Sequence, residues 1–401
     1  MTATSNRGGP LAGLKVLELG QLIAGPFCGR LFAEFGADVI KIEPPRSGDP
    51  LRKWRKLHKG TSLWWYVQGR NKRSVTIDLR QAEGQEIVAQ LSAEADIVIE
   101  NFRPGGLEKW NLGYERLAKN NPGLIMVRLS GYGQTGPYRD RPGFGAIGES
   151  MGGMRYVTGY PDRAPARVGI SLGDALAAMY GVIGALMALH HRSQGGKGQV
   201  IDVALYEAVF SMMESVLPEY GMSGFVRERS GASLPGIVPS NTYGTKDGKF
   251  VVIGANGDSI FKRMMVAIGR PDLAEDPSLA DNAGRIARTA ELDEVIGNWT
   301  ASHDLDYVLD ILEKAEVPSS KIYSVADIVA DVHYQARGMI EKTRLGEDEE
   351  LLLPAVVPKL SGTPGGTRWI GPELGAHTAE VLASLGISAE RQAELRAKGI
   401  V

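Results

Sequence analysis

The alternation of short apolar runs with helix-like segments over the first 210 residues constrains the fold of this chain most. The runs that predict strands cover residues 14–19, 38–43, 74–79, 96–100, 124–129 and 199–204. Helical patterns lie between several of them, at residues 25–35 and 81–93. Strands that are separated by helices form parallel sheets with helices on both faces. The sequence therefore predicts an α/β fold with a Rossmann-like, doubly wound parallel sheet.

The pattern changes near residue 225, where amphipathic helices become dominant and continue to about residue 330. Four segments are predicted on this basis. They are a flexible tail at 1–10, the N-terminal part of a large domain at 11–224, a smaller α+β domain at 225–330 and a C-terminal segment at 331–401.

The composition excludes several classes of protein. Lys and Arg number 45 against 47 Asp and Glu, a balance that gives no nucleic-acid-binding footprint. The single cysteine, Cys28, excludes a disulfide framework and fits a reducing compartment. Residues 1–10 lack an apolar secretory segment, and the apolar run at 175–189 is shorter than the about 20 residues that span a bilayer. We expect a cytoplasmic protein without a membrane partner.

Asp174 directly precedes that long apolar run, which reads as a buried helix ending in basic residues. A carboxylate at the start of a helix has two possible roles. It is either an N-cap that accepts hydrogen bonds from free backbone N–H groups, or a nucleophile that the same groups activate. The local pattern alone favours the cap, because Asp is a preferred N-cap residue.

Other motifs argue against common cofactors. The first strand–turn–helix carries glycines at 20, 25 and 29, which do not form G-x-G-x-x-G, and Pro26 lacks the N–H that a pyrophosphate would need. No nicotinamide cofactor is therefore expected. The histidines show no ligand spacing, so no metal is expected either. Cys28 has no histidine in a catalytic arrangement and is interpreted as a core thiol.

Basic residues of the N-terminal half cluster in loops, several of them after strands. Such a cluster is either a solvated surface or a ligand site, and α/β sheets bind ligands in the loops at the strand ends. The loop at residues 101–106 offers an amide, an aromatic ring and a guanidinium, which suit an adenine and phosphates.

Taken together, motifs along nearly the whole chain resemble the class III CoA-transferases, the family of the formyl-CoA and carnitine CoA-transferases. The matching motifs are Pro10–Glu18, Ala24–Pro26, Gly36–Glu43, Arg70–Ser74, Glu100–Phe102, Gly131–Pro137, Gly173-Asp174, Gly195–Gln199 and Leu374–Thr378. The resemblance implies an interlocked homodimer, a large domain completed by its own C-terminus, and Asp174 as the catalytic nucleophile. It also implies CoA contacts at Ile23, Ala24, Arg46, Ile77, Leu79, Arg80, Asn101, Phe102, Arg103, Lys109, Arg141 and Phe144.

Within this family the chain is most similar to enzymes that use succinyl-CoA and a dicarboxylate of four to six carbons. Malate, citramalate, mesaconate, itaconate and glutarate are the expected acceptors, and the acyl-CoA and the acid are the expected small-molecule partners. Arg46 or Arg73 is a candidate to bind the second carboxylate. The alternatives are an α-methylacyl-CoA racemase, a carnitine-type CoA-transferase and a non-catalytic CoA-binding regulator. The racemase branch has a histidine in the region of residues 141–145, where this chain has none.

Overall fold

The computed structural model describes residues 8–346 and 349–401, so residues 1–7 of the predicted tail lie outside the described residues. The chain forms two compact units. The second unit consists of Arg155–Arg167 and Val226–Arg337, and the remaining described residues form the first.

The first unit contains most of the elements up to residue 225. The elements up to residue 225 are, in chain order, β1 (Lys15–Glu18), α1 (Ala24–Glu34), β2 (Asp38–Glu43), β3 (Leu57–His58), β4 (Thr61–Ser62), α2 (Leu63–Gln68), β5 (Lys72–Thr76), α3 (Ala82–Glu94), β6 (Ile97–Glu100), α4 (Gly106–Lys109), α5 (Tyr114–Asn120), β7 (Ile125–Ser130), α6 (Gly145–Met151), α7 (Met154–Val157), α8 (Leu172–Ser193), β8 (Val200–Ala204), α9 (Leu205–Phe210) and α10 (Val216–Ser223). All of them lie in the first unit except α7, which belongs to the second unit from Arg155 onward.

The central sheet of this unit has six strands in the order β5-β2-β1-β6-β7-β8. All neighbouring pairs are parallel, as the alternating pattern predicts. The order runs outward from β1 in one direction through β2 and β5, and from β6 in the other. The prediction of a doubly wound parallel sheet is therefore confirmed, and its switch point lies between β1 and β6.

Both faces of this sheet are buried, so successive residues of a strand enter two different cores. On β6, Ile97 and Ile99 pack with α1 and α8, whereas Val98 packs on the opposite face with α3 and α5. Strands of this kind read as continuous apolar runs, which is why the sequence shows them clearly.

Helix α8 runs for 22 residues and packs its small residues closely against the sheet. A Cβ at Gly181 would lie 2.9 Å from Val127 Cγ1 and 3.5 Å from Cys28 Sγ. The helix extends beyond the apolar run at 175–189, and by length and composition alone it is long and apolar enough to cross a membrane. One side of α8 packs against β7, β8 and α1.

The second unit has an antiparallel sheet in the order β11-β10-β9, with helices around it. Its core contains Val251, Ile253, Phe261 and Leu292. Its elements are β9 (Ser240–Gly244), β10 (Phe250–Gly254), α11 (Asp258–Ala267), α12 (Pro271–Ala274), α13 (Asn282–Ala287), α14 (Thr289–Ala301), α15 (Leu305–Lys314), β11 (Ser319–Lys321), α16 (Val325–Ala330) and α17 (Val332–Ala336).

The C-terminal elements belong to the first unit. They are β12 (Ile340–Leu345), β13 (Glu349–Pro354), α18 (Thr378–Ser384) and α19 (Ala389–Ala397). The backbone N–H of Thr76, at the end of β5, donates to Thr378 Oγ1 (2.9 Å), and that of Asp78 donates to the carbonyl of Ile400 (2.8 Å). The end of the chain thus supports the loop that follows β5.

Candidate active site

The loop between β1 and α1 lies at the switch point, where open α/β sheets bind ligands beyond the carboxyl ends of their strands. Leu22 in this loop has a φ of 64°, a left-handed conformation that is uncommon for a residue other than glycine. Such a conformation persists only where the surrounding contacts hold it.

Asn101, the residue after β6, provides part of that support. Its Oδ1 accepts a hydrogen bond from the Gln21 N–H (2.7 Å), and its Nδ2 donates to the Gln21 carbonyl (2.8 Å). A Cβ at Gly20 would lie 2.8 Å from Asn101 Oδ1, so the glycine makes room for this amide. The side chain of Asn101 therefore holds the loop, and its role toward CoA stays a prediction.

A buried cluster of charged residues supports the same loop. Lys41 Nζ lies 2.8 Å from Glu18 Oε1 and 2.9 Å from Asp49 Oδ2, and it donates to the Gly20 carbonyl. Asp49 Oδ1 in turn accepts the Leu22 N–H at 3.0 Å. Burial alone would raise the pKa of Asp49, but the charge of Lys41 and the backbone donors hold that pKa below its usual range.

A cavity of about 290 Å³ opens at this edge of the sheet. Phe102 and Trp110 meet edge to face in its wall, with their ring centroids 5.0 Å apart. Arg80, at its polar side, pairs with Asp78 at 2.9 Å. The lining residues are Leu19, Gln21, Ile42, Glu43, Pro44, Ser47, Ile77, Asp78, Leu79, Arg80, Phe102 and Trp110. An apolar, aromatic cavity with a few polar groups is typical of a small-molecule site.

The structure brings four of the predicted CoA-binding residues together around this cavity, namely Ile77, Leu79, Arg80 and Phe102. Ile77 and Leu79 are largely buried, whereas Arg80 is exposed. Sequence reasoning missed Trp110, although it follows the predicted Lys109 in the loop region after β6. It also missed Gln21, because nothing in the sequence shows which loop residues face the crevice.

Other predicted contacts lie on the same edge but do not line the cavity. Ile23 and Ala24 begin α1, and Arg103 and Lys109 are exposed in the segment after β6. That segment is anchored by Arg128, which binds Glu100 at 2.7 Å and Glu108 at 2.8 Å.

The predicted contacts Arg141 and Phe144 lie in the loop after β7. The Arg141 guanidinium stacks on the ring of Tyr138 at 3.6 Å, and the Phe144 side chain is 65% exposed. This loop leads directly into α6, which contacts α8. It therefore belongs to the neighbourhood of Asp174 rather than to the cavity.

The two arginines considered for the second carboxylate lie at different edges of the sheet. Arg46 is exposed in the loop after β2, on the carboxyl edge. Arg73 lies near the start of β5, at the amino edge, where it pairs with Asp38 and Glu380. Within this chain Arg73 therefore lies at the edge opposite to Asp174, whereas Arg46 lies at the same edge.

Asp174 lies in the first turn of α8, at the carboxyl edge of the sheet. The helix begins at Leu172, and the Ala175 N–H donates to the carbonyl of Ser171 (3.1 Å), which occupies the N-cap position. Asp174 is therefore the third residue of the helix and not its N-cap, so the N-cap alternative is not borne out, because the helix starts earlier than the apolar run. The half-buried carboxylate lies against Gly145 at the start of α6, where the helix N-terminus favours negative charge.

The environments of Asp174 and Cys28 differ in a way that matters for nucleophilic chemistry. Cys28 is fully buried, and burial together with the nearby charge of Glu18 raises the pKa of its thiol. The interpretation of Cys28 as a core thiol is confirmed.

Among the described residues, no group of three or more His, Cys, Asp or Glu could hold a metal ion.

The sequence profile of CoA-transferase family III matches residues 11–378. The chain belongs to this family. Over 98% of both chains it is 51% identical to the succinyl-CoA–D-citramalate CoA-transferase of Chloroflexus aurantiacus. It is 44% identical to the β subunit of the succinyl-CoA–L-malate CoA-transferase of the same organism, again over 98% of both chains. A crystal structure of a CAIB/BAIF family protein from Brucella suis matches this family member with a TM-score of 0.82 and 36% identity, covering 94% of this chain and 100% of that one.

Proposed function

We propose that this enzyme transfers CoA from succinyl-CoA to a dicarboxylate of four to six carbons, with citramalate as the first candidate acceptor. The observation that carries this proposal is the end-to-end similarity, at 51% identity, to a D-citramalate enzyme that also uses succinyl-CoA. The position of Asp174 at the carboxyl edge of the sheet supports it, because this edge is where α/β folds bind their ligands.

Asp174 is the nucleophile in this proposal. Its carboxylate attacks the thioester carbonyl of succinyl-CoA, which forms a mixed anhydride and releases the CoA thiolate. The thiolate attacks the Asp174 carbonyl of the anhydride, which releases succinate and leaves an aspartyl-CoA thioester. The acceptor carboxylate then attacks this thioester, forming a second anhydride and the thiolate again. Attack of the thiolate on the acceptor carbonyl gives the new acyl-CoA and restores Asp174.

CoA binding keeps the thiolate beside the anhydride between these steps. Holding two reactants in place can lower a barrier by about 7–11 kcal/mol relative to free encounter. In the proposal, the cavity of Phe102 and Trp110 binds the nucleotide end, and the pantetheine arm runs along the carboxyl edge toward Asp174. Ile23, Ala24, Arg46, Asn101, Arg103, Lys109, Arg141 and Phe144 remain proposed CoA contacts along this edge.

The acceptor part of the proposal is tested with a panel of acids. The purified protein is incubated with succinyl-CoA and citramalate, malate, mesaconate, itaconate or glutarate, with butyrate and carnitine as controls, and the acyl-CoA products are measured by mass spectrometry. We expect kcat/KM for dicarboxylates to exceed that for butyrate by at least about fivefold, because a charged hydrogen bond to the second carboxylate contributes about 1 kcal/mol or more.

Two results would contradict the proposed acceptor specificity. Equal kcat/KM values with butyrate and with the dicarboxylates would show that the enzyme does not select dicarboxylates. Racemisation of a 2-methylacyl-CoA without transfer to any acid would replace the transferase by the racemase alternative.

The proposal includes an interlocked homodimer in the cytoplasm. One face of α8 exposes Met179, Tyr180, Ile183, Leu186 and Met187, which are between 36% and 67% exposed. We name these five residues the exposed α8 face. Soluble monomers rarely expose contiguous apolar surface of this kind, so a second copy of the chain is the proposed cover.

A further inference from the structure

Helix α6 contacts the first turn of α8 through a glycine. An ideal Cβ built on Gly145 would lie 2.0 Å from Asp174 Oδ2 and 2.8 Å from Asp174 Cγ. Gly145 is buried and is not among the residues with positive φ. A left-handed backbone conformation therefore does not explain the glycine, and in this chain the Asp174 carboxylate fills the space that a side chain would take.

A second glycine completes the contact. A Cβ at Gly173 would lie 3.0 Å from the Gly145 carbonyl oxygen and 3.3 Å from Glu149 Cγ. The Gly173 N–H donates to Oε1 of Glu149, a side chain of α6 that is only 1% exposed, at 3.4 Å. Glu149 thus accepts one of the N–H groups that the start of α8 leaves without a partner inside the helix.

We propose that Gly145 and Glu149 are positioning residues for the nucleophile. Gly145 leaves free the space that the Asp174 carboxylate occupies, and Glu149 holds the turn of α8 from which Asp174 projects. This inference rests on the proposed role of Asp174. It adds to that role a reason why the carboxylate is held in one place.

The contact matters because attack on a thioester requires a fixed approach. A displacement of about 1 Å in the reacting groups can lower the rate about 100-fold. A methyl group at position 145 would collide with the end of the Asp174 side chain and not with backbone atoms. The side chain can rotate away from this collision. Gly145→Ala should therefore fold normally while it moves the nucleophile.

The test compares Gly145→Ala with Gly169→Ala as the matched control. Gly169 lies five residues before Asp174, its φ is not positive, and a Cβ there would have no atom within 4 Å. We expect Gly145→Ala to lower kcat about 100-fold, with the CoA Kd from calorimetry and the KM for succinyl-CoA within about threefold of wild type. Gly169→Ala should match wild type in all three quantities.

Glu149 is tested with two variants. Glu149→Gln keeps an oxygen that can accept the Gly173 N–H, whereas Glu149→Ala removes it. We expect kcat to fall in the alanine variant and to be largely restored in the glutamine variant. Equal loss in both, or no loss in either, would remove Glu149 from the proposal.

A double-mutant cycle on thermal unfolding measures the coupling between positions 145 and 174 independently of activity. Any loss of Tm caused by Gly145→Ala should vanish in an Asp174→Ala background, because the colliding carboxylate is gone. If Asp174→Ala is inactive while Gly145→Ala keeps wild-type kcat, the positioning inference fails and the proposed function stands. If Asp174→Ala keeps substantial activity, the proposed function fails, and the positioning role fails with it.

Discussion

At the scale of single residues, the surroundings decide which potential nucleophile can react. Cys28 is intrinsically the stronger nucleophile, but it is fully buried behind α8, and burial raises the pKa of its thiol. Asp174 is half-buried at the ligand-binding edge of the sheet, in a helix turn that favours negative charge. The proposed choice of Asp174 as the nucleophile therefore rests on this difference in access rather than on intrinsic reactivity.

This difference gives a prediction about covalent trapping. When the protein is incubated with succinyl-CoA and then hydroxylamine, mass spectrometry of its peptides should find a hydroxamate at Asp174, because hydroxylamine cleaves an acyl thioester or anhydride. Cys28→Ser is the control and should retain the label and the activity. Label on Cys28, or no label on Asp174 during turnover, would show that the reaction does not pass through the aspartate.

For single residues, the sequence indicates which side chains could react or bind, but it does not show at which edge of the sheet each side chain lies. Asp174 is predicted to be the nucleophile from the family motifs around it, whereas its place before an apolar run alone favours an N-cap. Arg73 was suggested for the second carboxylate because it is basic and close to a strand, yet it lies at the amino edge beside Asp38. The missing information was where β5 starts and ends.

At the scale of elements, β5 shows why that boundary was missed. The apolar pattern predicts a strand at 74–79, whereas the strand is Lys72–Thr76. Lys72 looks like a loop residue, but it is buried, with its Nζ 2.7 Å from Glu18 Oε2, and burial lowers its pKa to about 8. Ile77 continues the apolar pattern beyond the strand because it packs in the core beside the cavity. A buried ion pair cannot be recognised in a sequence before its partner is known.

The loops after β5 and β6 also carry a prediction about CoA binding. Trp110→Ala would remove one wall of the cavity and the edge-to-face contact with Phe102. We expect the CoA Kd to rise about fivefold or more, because the loss of an aromatic side chain that packs on a base costs about 1–3 kcal/mol, with little change in the single-turnover rate at saturating CoA.

Phe250→Ala is the matched control for this loss of an aromatic side chain. Phe250 is 55% exposed on β10 of the second unit, so its replacement should leave the CoA Kd unchanged. An unchanged Kd in Trp110→Ala would place the nucleotide end of CoA outside this cavity.

At the scale of the whole molecule, α8 is apolar on two sides for two reasons. Its small residues, such as Ala177, Gly181 and Ala185, pack against the sheet, whereas the exposed α8 face carries large side chains. Tyr180 of this face also contacts Met212 and Ser211, which extends the apolar surface beyond α9. The sequence shows a helix that is apolar all round, a pattern typical of a helix buried on every side. One chain alone buries only one side.

The exposed α8 face therefore predicts the oligomeric state. Met187 is 67% exposed, and placing a charge there should be harmless in a monomer but costly in a dimer that buries it. We expect wild type to be a dimer by light scattering after size exclusion, and Met187→Glu to shift the protein toward monomer with its helical circular dichroism retained. Val266→Glu is the matched control, since Val266 is 58% exposed in the second unit. A wild-type monomer, a Met187→Glu protein that stays dimeric, or wild-type protein that sediments with lipid vesicles would each show that another partner covers this face.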